Sequence, residues 1–263
     1  MPGDTVRQSV VLDGYFDLRE PGTYEVWMDL RTDLDTATTV TEIYVAEPPA
    51  DLAAATISLR WVQQARAGEG VPEAFRLDTP YVVLDRIARA HSETYLAEPA
   101  LAYAAFEYHH QGESWAQHRG EAAGQPFFEA AAERGREFER RFPTSALVEN
   151  VAYVTAMALY RLGESTLSPY NITAEGVCGG RVFHVTNRSE QPTTLHYEAM
   201  DGRPQQGRLR LGAFEAAGVT LETPAAALRL THEGVPIAVA LADRSTCNEH
   251  MLRRPPQGDE VWE

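Results

Sequence analysis

The hydrophobic period of this chain changes twice, and that limits what it can fold into. Through residues 5–45 apolar and polar side chains alternate. Tyr24, Val26, Met28 and Leu30 interleave with Thr23, Glu25, Trp27 and Asp29, the period of two expected of a strand with one buried face. Pro21-Gly22 supplies a turn before it, and Val6–Leu12 and Val40–Val45 are expected as further strands. From 48 to 164 the spacing becomes helical, and beyond 178 short alternating runs return. The chain therefore reads as α+β and multidomain. A partial β-sheet covers 1–47, a helical-hairpin domain 48–164, a linker 165–177, a small β-sandwich 178–250 and a flexible tail 251–263.

Prolines punctuate the helical part, because the first turn of a helix does not need their missing N–H. Pro48-Pro49 opens a helix striped by Leu52, Ala55, Leu59 and Val62 and stopped by Gly68. Asp78-Thr79-Pro80 caps a second, with Leu84, Ile87, His91 and Tyr95 on one face. Pro99 opens a third that ends near Gln111. Pro126 opens a fourth, in which Phe128, Ala131, Gly135, Phe138 and Phe142 oppose a solvated Glu/Arg face. A fifth, about Ser145 to Leu162, is apolar nearly all round and should pack on both sides. Between the third and fourth helices, Glu113–Gln125 reads as a glycine-containing loop that carries Trp115 and His118. In the β domain, strands are expected at Val182–Thr186, Thr194–Ala199, Arg208–Phe214, Val219–Leu221, Leu228–Thr231 and Ile237–Leu241.

Charge and composition exclude several functions. The 263 residues are 44% hydrophobic and 23% charged, as in ordinary folded proteins. Net charge is −15, every basic residue is arginine, and no basic stripe for a phosphate backbone is visible. Nucleic acid is thus not an expected partner. The longest apolar run, 151–160, is far short of the roughly 20 residues of a membrane helix, so no membrane insertion is expected. Met1-Pro2-Gly3-Asp4 lacks the basic start and apolar core of a signal peptide. Either the protein is cytoplasmic or the chain begins inside a longer exported one.

Cys178 and Cys247 flank the β domain, where a disulfide would clasp its two ends. Closing a loop of about 70 residues is worth roughly 4 kcal/mol in the chain-entropy model. Two free thiols, or zinc held with His250 of Cys247-Asn248-Glu249-His250, are the rival readings; zinc lacks an evident fourth ligand. A nucleophilic Cys178 beside His184 or His232 would need an activated thiolate. Glu107-Tyr108-His109-His110 contains an E-x-x-H spacing but has no second copy of the kind di-iron bundles use. Gly112-Glu113-Ser114-Trp115-Ala116 approaches the nucleophile elbow but follows a helix where the elbow needs a strand. Phosphate-binding, dinucleotide-binding and H-E-x-x-H motifs are absent. Asn171-Ile172-Thr173 and Asn187-Arg188-Ser189 match glycosylation sequons, a short pattern that chance often supplies. No catalytic residue, metal site or cofactor is therefore expected. Trp115, His118 and Tyr108 are the expected partner contacts, since aromatic side chains are enriched at interfaces.

Two resemblances extend this reading. Pro2-Gly3-Asp4, Leu12-Asp13-Gly14-Tyr15-Phe16-Asp17-Leu18 and Pro21-Gly22-Thr23-Tyr24-Glu25-Val26 resemble the closing strands of immunoglobulin-like domains in bacterial exported proteins. That resemblance implies a start within a domain. Ala152, Tyr153, Ala156, Ala158, Tyr160, Gly163 and Glu164 resemble the first helix of a tetratricopeptide repeat, and Phe142-Pro143-Thr144-Ser145 resembles the repeat boundary. His109-His110-Gln111-Gly112-Glu113 parallels Tyr160-Arg161-Leu162-Gly163-Glu164, as if two helices ended alike. The two are roughly 50 residues apart, against about 34 for the standard repeat. The resemblances imply a non-enzymatic exported scaffold or protein-interaction protein, periplasmic or extracellular, with a protein partner held by the helical hairpins and the 113–125 loop. The alternative they imply is an accessory or inhibitory part of a metal-dependent exported enzyme such as a metalloprotease. Carbohydrate binding by the β domain is poorly supplied, because that domain contains no tryptophan.

Overall fold

The computed structural model describes residues 22–31, 36–66, 80–201 and 203–242. It is mixed α+β, with helices in the middle and antiparallel sheets toward the C-terminus. The described residues fall into two compact units, 22–66 and 80–242.

The first unit holds β1 (Gly22–Arg31), β2 (Thr36–Val45) and α1 (Ala53–Arg66). β1 and β2 form an antiparallel hairpin in which Gly22 faces Val45 and Arg31 faces Thr36. Leu52, Leu59 and Val62 of the expected stripe are buried. The expected strand Val6–Leu12, the motif residues Pro2–Leu18, Gly68 and the cap Asp78-Thr79 lie outside the described residues.

The second unit begins with α2 (Pro80–Ala90), α3 (Ala97–Arg119), α4 (Glu121–Arg141) and α5 (Val148–Arg161). These pack in chain order, α2 on α3, α3 on α4 and α4 on α5. Alanines line the seams: Ala104, Ala105, Ala131, Ala132, Ala156 and Ala158 are essentially inaccessible, with Phe128 and Phe138 between them. Three expectations need correction. His91 and Tyr95 do not extend the stripe of α2. That helix ends at Ala90, because the Thr94 amide and hydroxyl both donate to the His91 carbonyl, at 3.0 and 2.9 Å, and make a turn.

The segment 113–125 is not a loop. α3 runs on to Arg119 and α4 starts at Glu121, with Pro126 inside it. Only Gly120, at φ 92°, interrupts the helices. Gly112 and Gly124 serve close packing instead. A Cβ on Gly112 would come within 2.7 Å of the Phe128 ring, and one on Gly124 within 2.6 Å of the Gly112 carbonyl. For the same reason the two helices do not end alike. Gly163, at φ 73°, follows the end of α5 as a left-handed cap, whereas Gly112 lies inside α3.

The sheets comprise β3 (Ile172–Val177), β4 (Val182–Asn187), β5 (Thr193–Met200), β6 (Gln206–Leu211), β7 (Ala216–Thr220), β8 (Ala227–His232) and β9 (Val235–Leu241). One sheet is ordered β3-β4-β7 and the other β6-β5-β8-β9. β3 occupies part of the segment expected to be a linker. Its glycine conceals it: a Cβ at Gly176 would run into the Leu241 carbonyl, so close backbone approach requires glycine there. β6 stops at Leu211, before Phe214, which sits in a turn at φ 54°. The two sheets share one core, with Ile172, Phe183, Val185 and Val219 from the first and Leu195, Leu211, Leu228, Leu230 and Ile237 from the second.

Helices and sheets belong to the same compact unit. The Leu241 amide of β9 donates to Glu149 of α5 at 2.6 Å. Val235 packs on the helical cluster of Phe128 and Leu159. No helix among the described residues is long and apolar enough to cross a membrane.

Candidate functional site

The densest polar cluster in the helices centres on Asp85. Its side chain is 7% exposed, although it stands among the apolar residues of α2. Four hydrogen bonds hold it. Arg134 of α4 donates from Nε to Oδ1 at 2.7 Å and from Nη2 to Oδ2 at 3.1 Å. Arg89 donates to Oδ2 at 2.9 Å, and the Tyr108 hydroxyl of α3 donates to it at 3.0 Å. Burial raises the Asp85 pKa, but the hydrogen bonds from Arg134 and Arg89 outweigh it and leave the carboxyl below its ordinary value. Burial first, then the Asp85 charge, pushes the Tyr108 hydroxyl up to about 12, so it stays a donor. Held by four donors and shifted down in pKa, Asp85 is a structural anchor and a poor proton acceptor. Arg134 also reaches Glu133 at 3.1 Å and Glu137 at 3.5 Å, and Glu137 in turn holds Arg141 at 3.2 Å.

A cleft of about 550 Å³ opens beside this anchor, lined by Val82, Asp85, Arg86, Arg89, Ala90 and Tyr108. From Tyr108 an aromatic row runs across three helices. Tyr81 lies 4.7 Å from Tyr108 and 5.8 Å from Phe127 between ring centroids, and Phe127 lies 5.6 Å from Trp115. Arg119 closes the row, its guanidinium 4.6 Å above the Trp115 ring. Two of the three expected contact residues, Tyr108 and Trp115, thus stand on one row. Tyr81 and Phe127 join them and carry no sequence signal beyond being aromatic. Trp115 folds back onto α4 yet remains 36% exposed. His118 has no ring contact with the row, and its Nδ1 lies 2.7 Å from the Ser114 carbonyl of its own helix.

No family model matches this chain, and neither does any curated protein or solved structure.

The remaining sequence candidates fall into ordinary structural settings. Ser114 lies inside α3, so no nucleophile elbow forms. Glu107 is buried and His110 is exposed on α3. Among the described residues no group of three metal-ligating side chains comes together. His109 packs against Phe128 with centroids 5.9 Å apart. Burial, with the Arg161 charge second, lowers its pKa to about 4 and keeps it neutral. Asn187 of the second sequon is wholly buried, its amide donating to the Gln191 and Gly212 carbonyls at 2.8 Å each. Cys178 is buried and is not a free thiol. The chain has one other cysteine, Cys247, which lies outside the described residues together with His250.

Proposed function

We propose that this protein is a non-enzymatic, exported protein-binding module whose contact surface is the aromatic row of α2, α3 and α4. The carrying observation is the continuous line from Tyr108 through Tyr81 and Phe127 to Trp115, with the Arg119 guanidinium over the Trp115 ring. Aromatic and arginine side chains dominate interface energetics. A partner offering carboxylates beside apolar side chains fits such a row. We read the helix pairs as tetratricopeptide-like hairpins, which the chain-order packing and small-residue seams support. We read the two sheets as a β-sandwich tied by a bridge from Cys178, between β3 and β4, to Cys247, and a structural disulfide of that kind suits an oxidising, periplasmic or extracellular setting.

The test is site-specific photo-crosslinking in the native host. A photoreactive residue at Trp115 is expected to give a discrete protein adduct that Tyr81→Ala or Arg119→Ala abolishes. The same probe at Tyr44, in the other compact unit, is expected to give none. Adducts of equal yield from both positions, or none from Trp115, would remove the assignment.

A further inference from the structure

The four-stranded sheet is unevenly covered on its outer face. At β8 and β9 the helices lie against it, with Glu139 of α4 3.6 Å from Arg229. At β5 and β6 the same face is open. Thr194, His196, Arg208 and Arg210 are all exposed there. The register sets Thr194 opposite Arg210 and His196 opposite Arg208.

A cleft of about 630 Å³ opens where β5 begins and β6 and β8 end. Its polar walls include Thr193, His196, Arg210, Glu215, His232 and Glu233. This volume lies within the roughly 300–1,000 Å³ range of small-molecule sites. Two polar atoms of the wall, Thr193 Oγ1 and His232 Nδ1, are buried without a hydrogen-bond partner. Such groups normally find one.

The donors and acceptors of the wall are sorted by position. Arg210 and His196 stand on the strands. Glu215 and Glu233 stand on the turns that follow β6 and β8. Glu215 uses one carboxylate oxygen to accept from the Gly212 amide, which fixes its turn. Glu233 lies 3.9 Å from His232 at the tip of the β8–β9 hairpin. A simple anion entering the cleft meets two carboxylates, and a simple cation meets a guanidinium. A molecule with opposite charges at its two ends satisfies both. We propose that this cleft binds a small dipolar ligand of the amino-acid type, its carboxylate on Arg210 and His196 and its ammonium on Glu215 and Glu233.

The probes are the ω-amino acids from glycine to 6-aminohexanoate, with acetate and methylammonium as single-charge controls. Each is titrated into the full chain while the His196 and His232 ring protons are followed by NMR. At least one amino acid is expected to shift both imidazoles and to bind about tenfold more tightly than either control, a difference readily resolved by titration. Arg210→Gln and Glu233→Gln are each expected to weaken that binding about tenfold or more, with the unliganded melting temperature unchanged. Glu233 is exposed at a hairpin tip, so its substitution reads the site separately from folding. Acetate binding as tightly as the best amino acid would overturn the proposal. So would the absence of any shift at millimolar ligand, or unaltered binding in Glu233→Gln. None of these variants touches the aromatic row, so the two proposals stand or fall separately.

Discussion

Arg134 and Asp85 lie 49 positions apart in sequence and meet through two side-by-side hydrogen bonds, Nε to Oδ1 and Nη2 to Oδ2. The fork of the guanidinium matches the carboxylate edge, the strongest geometry available to such a pair. With Tyr108 added from α3, one carboxylate ties three helices together.

Removing one member of a buried pair leaves the other charge uncompensated, at a cost of about 3–5 kcal/mol. Asp85→Asn is therefore expected to destabilise the fold by about 3 kcal/mol in urea unfolding, whereas Tyr108→Phe, which removes one hydrogen bond, is expected to cost about 1 kcal/mol. The pH dependence has a definite sign. The folded carboxyl titrates below its ordinary value of 3.8, so its contribution is present above that value and is lost as pH falls through the lower, folded one. Wild type should lose stability steeply below about pH 4, and Asp85→Asn should show a shallower acid limb.

Glu139 behaves in the opposite sense. It is 4% exposed, and its Oε1 has no hydrogen-bond partner. The nearest cation, Arg229, is 3.6 Å away and is shared with Glu198. Burial raises the Glu139 carboxyl above 4.5, against the smaller lowering effect of Arg229. The folded state thus holds its proton more tightly, and stability declines as pH rises from the unfolded toward the folded value. Glu139→Gln removes that charge. It is expected to raise the melting temperature at pH 7 by roughly 2–4 °C, about 1 kcal/mol for a protein of this size. The gain should vanish near pH 4. A lower melting temperature at pH 7 would show that the Arg229 contact outweighs desolvation.

The stripes that build the helical core were legible in the sequence, and the Asp85 anchor was not. Phe128, Ala131, Gly135 and Phe138 follow helical spacing and are buried. β4, β5, β8 and β9 lie within a residue or two of the alternating runs that signal them. Asp85, in contrast, reads as one polar residue in an apolar stripe. Arg89 is its one local partner, at i+4; Tyr108 and Arg134 lie 23 and 49 positions away on other helices, and no local pattern encodes them. The α3–α4 junction was illegible for another reason. Glycine marks both a chain break and a close helix crossing, and Gly112, Gly120 and Gly124 divide between those roles. Tyr108 and Trp115 could be named as contacts because aromatic side chains are enriched at interfaces. The rings that join them, Tyr81 and Phe127, become visible only when three helices are packed.

Gly135 tests the small-residue seam between α4 and α5. A Cβ there would run into Thr155 Oγ1, which donates to the Val151 carbonyl at 2.7 Å in the first turns of α5. Overpacking a close seam costs about 1–3 kcal/mol. Gly135→Ala is expected to lie in that range despite the better helix propensity of alanine. Combining it with Thr155→Ala, which removes the obstructing hydroxyl, should recover most of the loss. A double-mutant cycle in urea measures the coupling. Additive effects would mean that the seam adjusts by sliding.

The clasp proposed for the β domain makes the largest prediction. Cys178 lies between β3 and β4 and is not a free thiol. Joined to Cys247, it closes a loop of about 70 residues, and the loss of chain entropy in the unfolded state is worth roughly 4 kcal/mol. Unfolding in urea with and without reductant should differ by about that amount, and the Cys178→Ser/Cys247→Ser protein should match the reduced form under both conditions. The oxidised, denatured chain should be about 2 Da lighter than the reduced one, because each bridge removes two hydrogens. Stability indifferent to reductant would exclude the clasp, and with it the main argument for an oxidising compartment.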